Sequence, residues 1–457
     1  MQWVLVIDFT ILSISLLIAS FLRSRLRFLQ RFLVPNAITA GFVGFALLSF
    51  LERVFPQIMP DREVLGNIVY HLLAVTFISI GLKKRERYLA KGSATTAFIL
   101  TLGYVLEGLV GYSLTLFFMF TIYPDMFPTF GLLFPIGFGQ SSGQAYALGK
   151  QWEALGFAGG STIGLTFGAV GFLWACFVGI PFMNWGIKRG YMKDLDRKVL
   201  QNTGFFKPGE YRPCAGKATT HPDVIASGTF HMAFIGVVYL VDYLFIWAVV
   251  QILTGMGGEF AVQFSRVLWA YHAFFATLWA LLLGKVLDLL NLHHILDDEM
   301  LTGISATSVD FLVTAAIMAI ELVVVIQYLF PIALMCITGG VFIMFMLLFM
   351  ARRSFEDHFF ERTISIFGLL TGTVSTGLAL LRVVDPKYRT PAASDLVLGS
   401  GFSLFIGFPL LFLMNLPALH QTVKIYLLTE AAIIGYAVIL FTVMIATGLM
   451  GKKRTVH

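Results

Sequence analysis

The sequence predicts an all-α polytopic membrane protein: two inverted five-helix repeats, each with a re-entrant hairpin, plus an extra C-terminal helix. Three observations predict it. Of 457 residues, 58% are hydrophobic and only 13% charged, too few charges to cover a soluble domain. The basic residues fall between apolar runs in a one-sided pattern. Two glycine- and hydroxyl-rich segments interrupt the helical pattern at corresponding places in the two halves of the chain.

Apolar runs near 3–22, 33–51, 64–82, 93–122 and 159–187, then 228–253, 267–290, 302–323, 330–350, 396–415 and 424–450, have the length of membrane spans. The run 93–122 is long for one crossing and implies tilt or a bend. No basic residue precedes the first run, and Arg23, Arg25, Arg27 and Arg31 follow it. That order is wrong for a cleaved signal and reads as a retained helix with its N-terminus outside. With that start, inside connections carry 24 basic residues and outside connections 4, as the positive-inside rule requires. The chain then divides at 1–190, a first repeat; 191–227, a basic cytoplasmic linker; 228–415, a second repeat; and 416–457, an added span with the basic tail Lys452-Lys453-Arg454. The net charge of +6 thus belongs to topology rather than to nucleic-acid binding. Cys176, Cys214 and Cys336 lie too far apart for a ligand motif, and the pair His293-His294 reads as a solvated loop.

The two interrupted segments are 128–156 and 362–395. If both crossed the membrane, the charge pattern would break. Hairpins that enter and leave on one side satisfy both facts, because non-helical backbone at membrane depth is tolerated inside protein or beside a wet cavity. The segments resemble each other: Ser141-Ser142-Gly143-Gln144-Ala145 aligns with Ser375-Thr376-Gly377-Leu378-Ala379, and Val75-Thr76 with Val313-Thr314 at nearly the same offset. An odd number of spans per half inverts the second half, so the hairpins enter from opposite sides and their tips can meet near the midplane.

The runs VPNAITAGFVGF (34–45), FISIGLKKRE (77–86) and GFGQSSGQAYALGKQWEALGF, with the two glycine-rich hairpins, resemble the glutamate:sodium symporter family over roughly residues 3–415. The resemblance implies two inverted five-span halves, inward transport of glutamate with sodium as coupling ion, no organic cofactor, and a homodimer in a bacterial-type inner membrane. The chain departs from that pattern. Gln140 and Leu369 or Leu370 stand near the places of hairpin histidines, Tyr146 replaces a tryptophan, and Arg382 replaces a neutral residue. The helix Val423–Met450 extends past the usual end. Glutamate or a related small carboxylate is the expected substrate, with a hydroxycarboxylate carrier as the alternative.

Sodium needs several oxygen ligands, which unwound carbonyls and hydroxyls supply without fixed charge. Ser141, Ser142, Ser375 and Thr376 are the tip candidates, with Thr76, Asp310 and Thr314 from the paired helices as a cation set. Gln140 and Gln144 can donate to a carboxylate. Asp310 precedes Thr314 by four residues and shares its helix face; Glu107 and Asp242 are further intramembrane acids. The planar donors of Arg382 suit a substrate carboxylate; the alternatives are a pair with Asp385 or extension toward the inner surface beside Lys387 and Arg389. There is no P-loop and no cluster with catalytic spacing, so the reading is not an enzyme. A channel remains a rival, because alternating access is not written in a sequence.

Overall fold

The computed structural model describes residues 4–54, 62–84, 91–191, 205–206, 209–210, 214–385 and 389–451. Lys387, the tail bases Lys452, Lys453 and Arg454, and most of the linker 191–213 lie outside the described residues. Among the described residues every regular element is helical. In chain order the principal helices are α1 (Val4–Arg25), α2 (Asn36–Val54), α3 (Arg62–Gly81), α4 (Lys91–Thr121), the short α5 (Leu133–Gly139) and α6 (Ser142–Glu153), and α7 (Gly160–Lys188). Then come α8 (Ser227–Met256), α9 (Glu259–Leu268) running through a single 3₁₀ turn into α10 (His272–Leu289), α11 (Asp298–Met318) and α12 (Leu329–Ser354). The short α13 (Phe359–Leu370) and α14 (Val374–Val384) follow, then α15 (Ala392–Leu413) and α16 (Val423–Ala446).

Ten of these helical stretches are long and apolar enough to cross a membrane, with α9 and α10 counted as one; α2 is a shorter apolar helix. The chain is therefore a multi-pass membrane protein. The run 93–122 becomes one helix of 31 residues, α4. At about 1.5 Å per residue it exceeds the ~30 Å hydrocarbon thickness, which a tilted helix accommodates.

Sequence features explain how the helices meet. At the start of α2, Asn36 Nδ2 donates to the Leu16 carbonyl at 3.2 Å and to Ser20 Oγ at 2.9 Å, fixing α2 against α1. Thr314 Oγ1 donates to the Ala37 carbonyl at 3.2 Å, bringing α11 to the same place. Asp297 caps α11 by accepting from the Met300 amide at 2.8 Å, and its neighbour Asp298 accepts from the Lys84 amide just past α3. His293 faces Asp288 at 3.0 Å and His294 contacts the Asn291 carbonyl, so this pair serves its own loop.

Two groups of helices result. One buried cluster joins α1, α2, α3 and α11, and another joins α3 to α8 and α10. The largest cluster gathers α4, the four short helices, α7, α12, α15 and α16. Helices α3 and α11 pack along each other and form the wall on which the second group rests.

Candidate functional site

The interrupted segments fold as two helix–turn–helix units. Neither arm of either unit is long enough to cross: the longest has 12 residues, about 18 Å. In the first, α5 ends at Gly139, Gln140 and Ser141 form the turn, and α6 begins at Ser142. In the second, α13 ends at Leu370, Thr371 to Thr373 form the turn, and α14 begins at Val374.

Glycine decides how close the first unit comes to its neighbours. A Cβ on Gly143 would stand 3.2 Å from Leu73 and 3.3 Å from Leu312, so the start of α6 rests in the seam between α3 and α11. On the other side, Gly168 of α7 leaves room for the Ser142 hydroxyl. Gly66 of α3 makes a notch that receives the Tyr146 hydroxyl, which gives a tyrosine at that position a physical reason.

The two tips touch. A Cβ on Gly139 would lie 2.8 Å from the Leu370 carbonyl oxygen and 2.7 Å from Glu107 Oε2. One turn earlier on α4, a Cβ on Gly103 would be 2.7 Å from Leu370 Cδ1. Glycine at 103 and 139 thus lets both turns approach α4, and the Glu107 carboxyl sits where they converge. Glu107 is fully buried, and neither of its oxygens has a hydrogen-bond partner among the described residues. The sequence shows Glu107 as an acid in an apolar run, but nothing in the run says which neighbours it meets.

The polar residues of the first tip are uncommitted. Ser141, Ser142 and Gln144 are buried and Gln140 half-buried, and none of the four side chains makes a hydrogen bond among the described residues. Ser141 has the extended backbone of a helix cap, yet its hydroxyl does not cap α6. The second tip differs. Thr373 caps α14, accepting from the Thr376 amide at 3.5 Å, and the two hydroxyls lie 3.3 Å apart. Thr376 is buried and Ser375 exposed.

The structure does not gather the cation set into one cluster of free ligands. Thr76 Oγ1 donates to Leu72 O at 2.8 Å and Thr314 Oγ1 to Asp310 O at 2.8 Å, each within its own helix. Asp310 itself is exposed. Asp242 of α8 is buried with both oxygens unpartnered; nearby, His71 Nδ1 lies 2.7 Å from the Tyr239 hydroxyl.

Arg382 is exposed and has no ion pair among the described residues. The pair with Asp385 does not form, because that carboxyl is occupied by the Arg389 and Thr390 amides at 2.8 Å and the Thr390 hydroxyl at 2.7 Å. The buried arginine is Arg362, at the base of the second unit. Its Nε donates to Asp395 Oδ2 at 2.9 Å and its Nη1 to Asp357 Oδ1 at 2.6 Å; Asp395 Oδ1 accepts from Ser93 of α4 at 2.8 Å. This ion pair joins α13 to α15 and α4. The fork of donors on Arg362 holds the Asp357 carboxyl below the usual carboxylate range.

No protein-family model, curated protein or solved structure matches this chain. The chemistry of the site must therefore carry the functional argument.

Proposed function

We propose that the protein is a secondary active transporter with two inverted repeats and two re-entrant hairpins, carrying glutamate or a related small carboxylate with sodium. The observation that carries this reading is the first tip: a cluster of four polar side chains with no hydrogen-bond partner among the described residues, at a junction of two short helix pairs inside an apolar protein. Buried polar groups are normally hydrogen-bonded, so a set left free at one place is a ligand site in waiting. The beginnings of α6 and α14 offer unpaired amides that suit a carboxylate, and the ends of α5 and α13 offer unpaired carbonyls that suit a cation.

Pairing of the helices supports the repeat. Counted from each end of the repeats, α3 corresponds to α11, and these two pack on each other. The contacts of α2 with α11 and of α10 with α3 are equivalent under the same exchange, as are those of α1 with α2 and of α8 with α10. A two-fold relation inverts one half and brings the two hairpins in from opposite sides. Alternating access then follows if the hairpin-bearing group moves against the α3–α11 wall.

A homodimer in a bacterial-type inner membrane, with N-terminus outside and C-terminus inside, belongs to the same proposal. So do Gln140, Ser141, Ser142, Gln144, Ser375, Thr376 and Arg382 as substrate contacts and Thr76, Asp310 and Thr314 as sodium contacts. A hydroxycarboxylate carrier is the nearest alternative substrate class. The test is uptake of labelled glutamate, and in parallel citrate and malate, into proteoliposomes under an imposed sodium gradient. Saturable uptake that collapses with the gradient is expected, and Ser142→Ala with Thr376→Ala is expected to weaken the sodium dependence. Flux that is non-saturable and insensitive to gradients would mean a channel.

A further inference from the structure

We propose that Glu107 is a proton-binding group whose protonation allows the two hairpin tips to close on each other. The inference rests on the transport reading above and adds a titratable switch to the same site.

The geometry has three parts. Glu107 is fully buried, and both carboxyl oxygens lack a hydrogen-bond partner among the described residues. A Cβ on Gly139 of the first tip would stand 2.7 Å from Glu107 Oε2 and 2.8 Å from the Leu370 carbonyl oxygen of the second tip. The carboxyl therefore stands at the contact between the tips rather than beside it. No described basic residue faces it. The titratable groups around it are Tyr104 on its own helix and Cys336 on α12, both buried; Glu430 of α16, further along α4, is engaged by Ser113 at 2.6 Å.

An ionised carboxylate in such a place has no counter-charge among the described residues and is shielded from bulk solvent, and isolated buried charge is resolved by neutralisation or by exposure. A proton is the cation this site can accept without a coordination shell. Sodium would need several oxygen ligands, and neither Glu107 oxygen has a hydrogen-bond partner among the described residues. With the proton bound, the acid is neutral, the cost of enclosing it falls, and the tips rest together. When the proton leaves to bulk water, the carboxylate must be hydrated, which requires the tips to separate at Gly139 and Leu370. Coupling is reciprocal: whatever favours closed tips favours the proton.

The experiment uses the purified full-length protein in detergent. Its thermal midpoint is followed from alkaline to acid pH without sodium, and in a second arm by sodium titration at fixed alkaline pH with choline replacement. Wild type is expected to gain stability on acidification, and Glu107→Gln, a neutral isostere, is expected to lose that gain and to be the more stable of the two at alkaline pH. Glu107→Asp keeps an acid but withdraws it from the junction; it carries the test if the glutamine variant does not fold, and its transition is expected to move by at least one pH unit. Infrared difference spectra between the two pH extremes should contain a protonated-acid carbonyl band that Glu107→Gln removes. Identical pH profiles and spectra in wild type and variant would overturn the proposal. So would a transition driven by sodium at alkaline pH and not by acid. If the switch is present but no carboxylate is transported, the transport reading fails and this inference stands; sodium-driven uptake unaffected by Glu107→Gln has the opposite meaning.

Discussion

The two helix–turn–helix units occupy corresponding places but are held in different ways. The first is held by backbone: Gly137 meets α7 at Gly164, Gly149 meets Gly160, and Gly131 meets Gly111 of α4. Near its base Glu153 Oε1 accepts from the Ser161 amide at 3.0 Å and the Ser161 hydroxyl at 2.5 Å, and a second lock is neutral. Trp152 Nε1 donates to Asn415 Oδ1 at 2.9 Å, Asn415 Nδ2 donates to the Tyr271 hydroxyl, and that hydroxyl donates to Leu411 O at 2.6 Å. The second unit is held by charge, through Arg362, Asp395 and Asp357, and its returning arm leaves Ser375 and Arg382 exposed. Close backbone packing holds the first tip rigid with free polar groups. The second unit combines an ion pair at its base with a partly exposed returning arm. Within the proposed transporter, we assign the first unit as the binding platform and the second as the gate.

The largest effect should come from the buried ion pair. Removing one partner strands the other charge, so Arg362→Met is expected to cost about 3–5 kcal/mol. The double variant Arg362→Met with Asp395→Leu should recover most of it, since apolar replacements of a buried pair are often neutral. Thermal unfolding in detergent separates these outcomes, and equal losses in the single and double variants would break the comparison. Next, Gly131→Ala or Gly149→Ala drives a methyl into facing backbone and should cost about 1–3 kcal/mol, because backbone cannot step aside as a side chain can. Trp152→Phe leaves the Asn415 carbonyl oxygen unpaired and should cost about 1–3 kcal/mol. The smallest change in stability is expected for Arg382→Gln, within about 0.5 kcal/mol. Substrate affinity in that variant should nevertheless fall about tenfold if the side chain binds a carboxylate. Arg382→Lys should restore it only in part, and unchanged affinity would leave Arg382 a charge on the inner side.

The sequence makes the helices legible because apolar length and punctuation are local properties. Spans at 64–82, 330–350 and 424–450 coincide with α3, α12 and α16 to within a few residues. The interruptions at 128–156 and 362–395 were visible for the same reason: glycine and hydroxyl clusters cannot continue an apolar helix. Arg382 drew attention over Arg362 because it lies next to the tip in sequence. Burial depends on what folds against a residue, and the partner of Arg362 is 33 positions away. Glu107 was visible as an intramembrane acid, but its place at the tips depends on Gly139 and Leu370, one from each half of the chain. Thr76 and Thr314 illustrate the opposite limit, since helical spacing shows a shared face but not that the Thr76 hydroxyl is spent on its own helix and the Thr314 hydroxyl on its own helix and the Ala37 carbonyl.

The central claim is that the two units enter from opposite sides and meet at Glu107. Impermeant thiol labelling of intact cells and of inverted vesicles tests it most directly. Lys150→Cys and Arg389→Cys would each be made with Cys176 and Cys336 replaced by alanine and, outside the control, Cys214 as well. Both positions are exposed near the bases of their units, and the native Cys214, exposed in the linker region, serves as the inside control. The account predicts that the Lys150→Cys protein reacts only from outside, and that the Arg389→Cys protein and Cys214 react only from inside. Labelling of both engineered positions from the same side would contradict it.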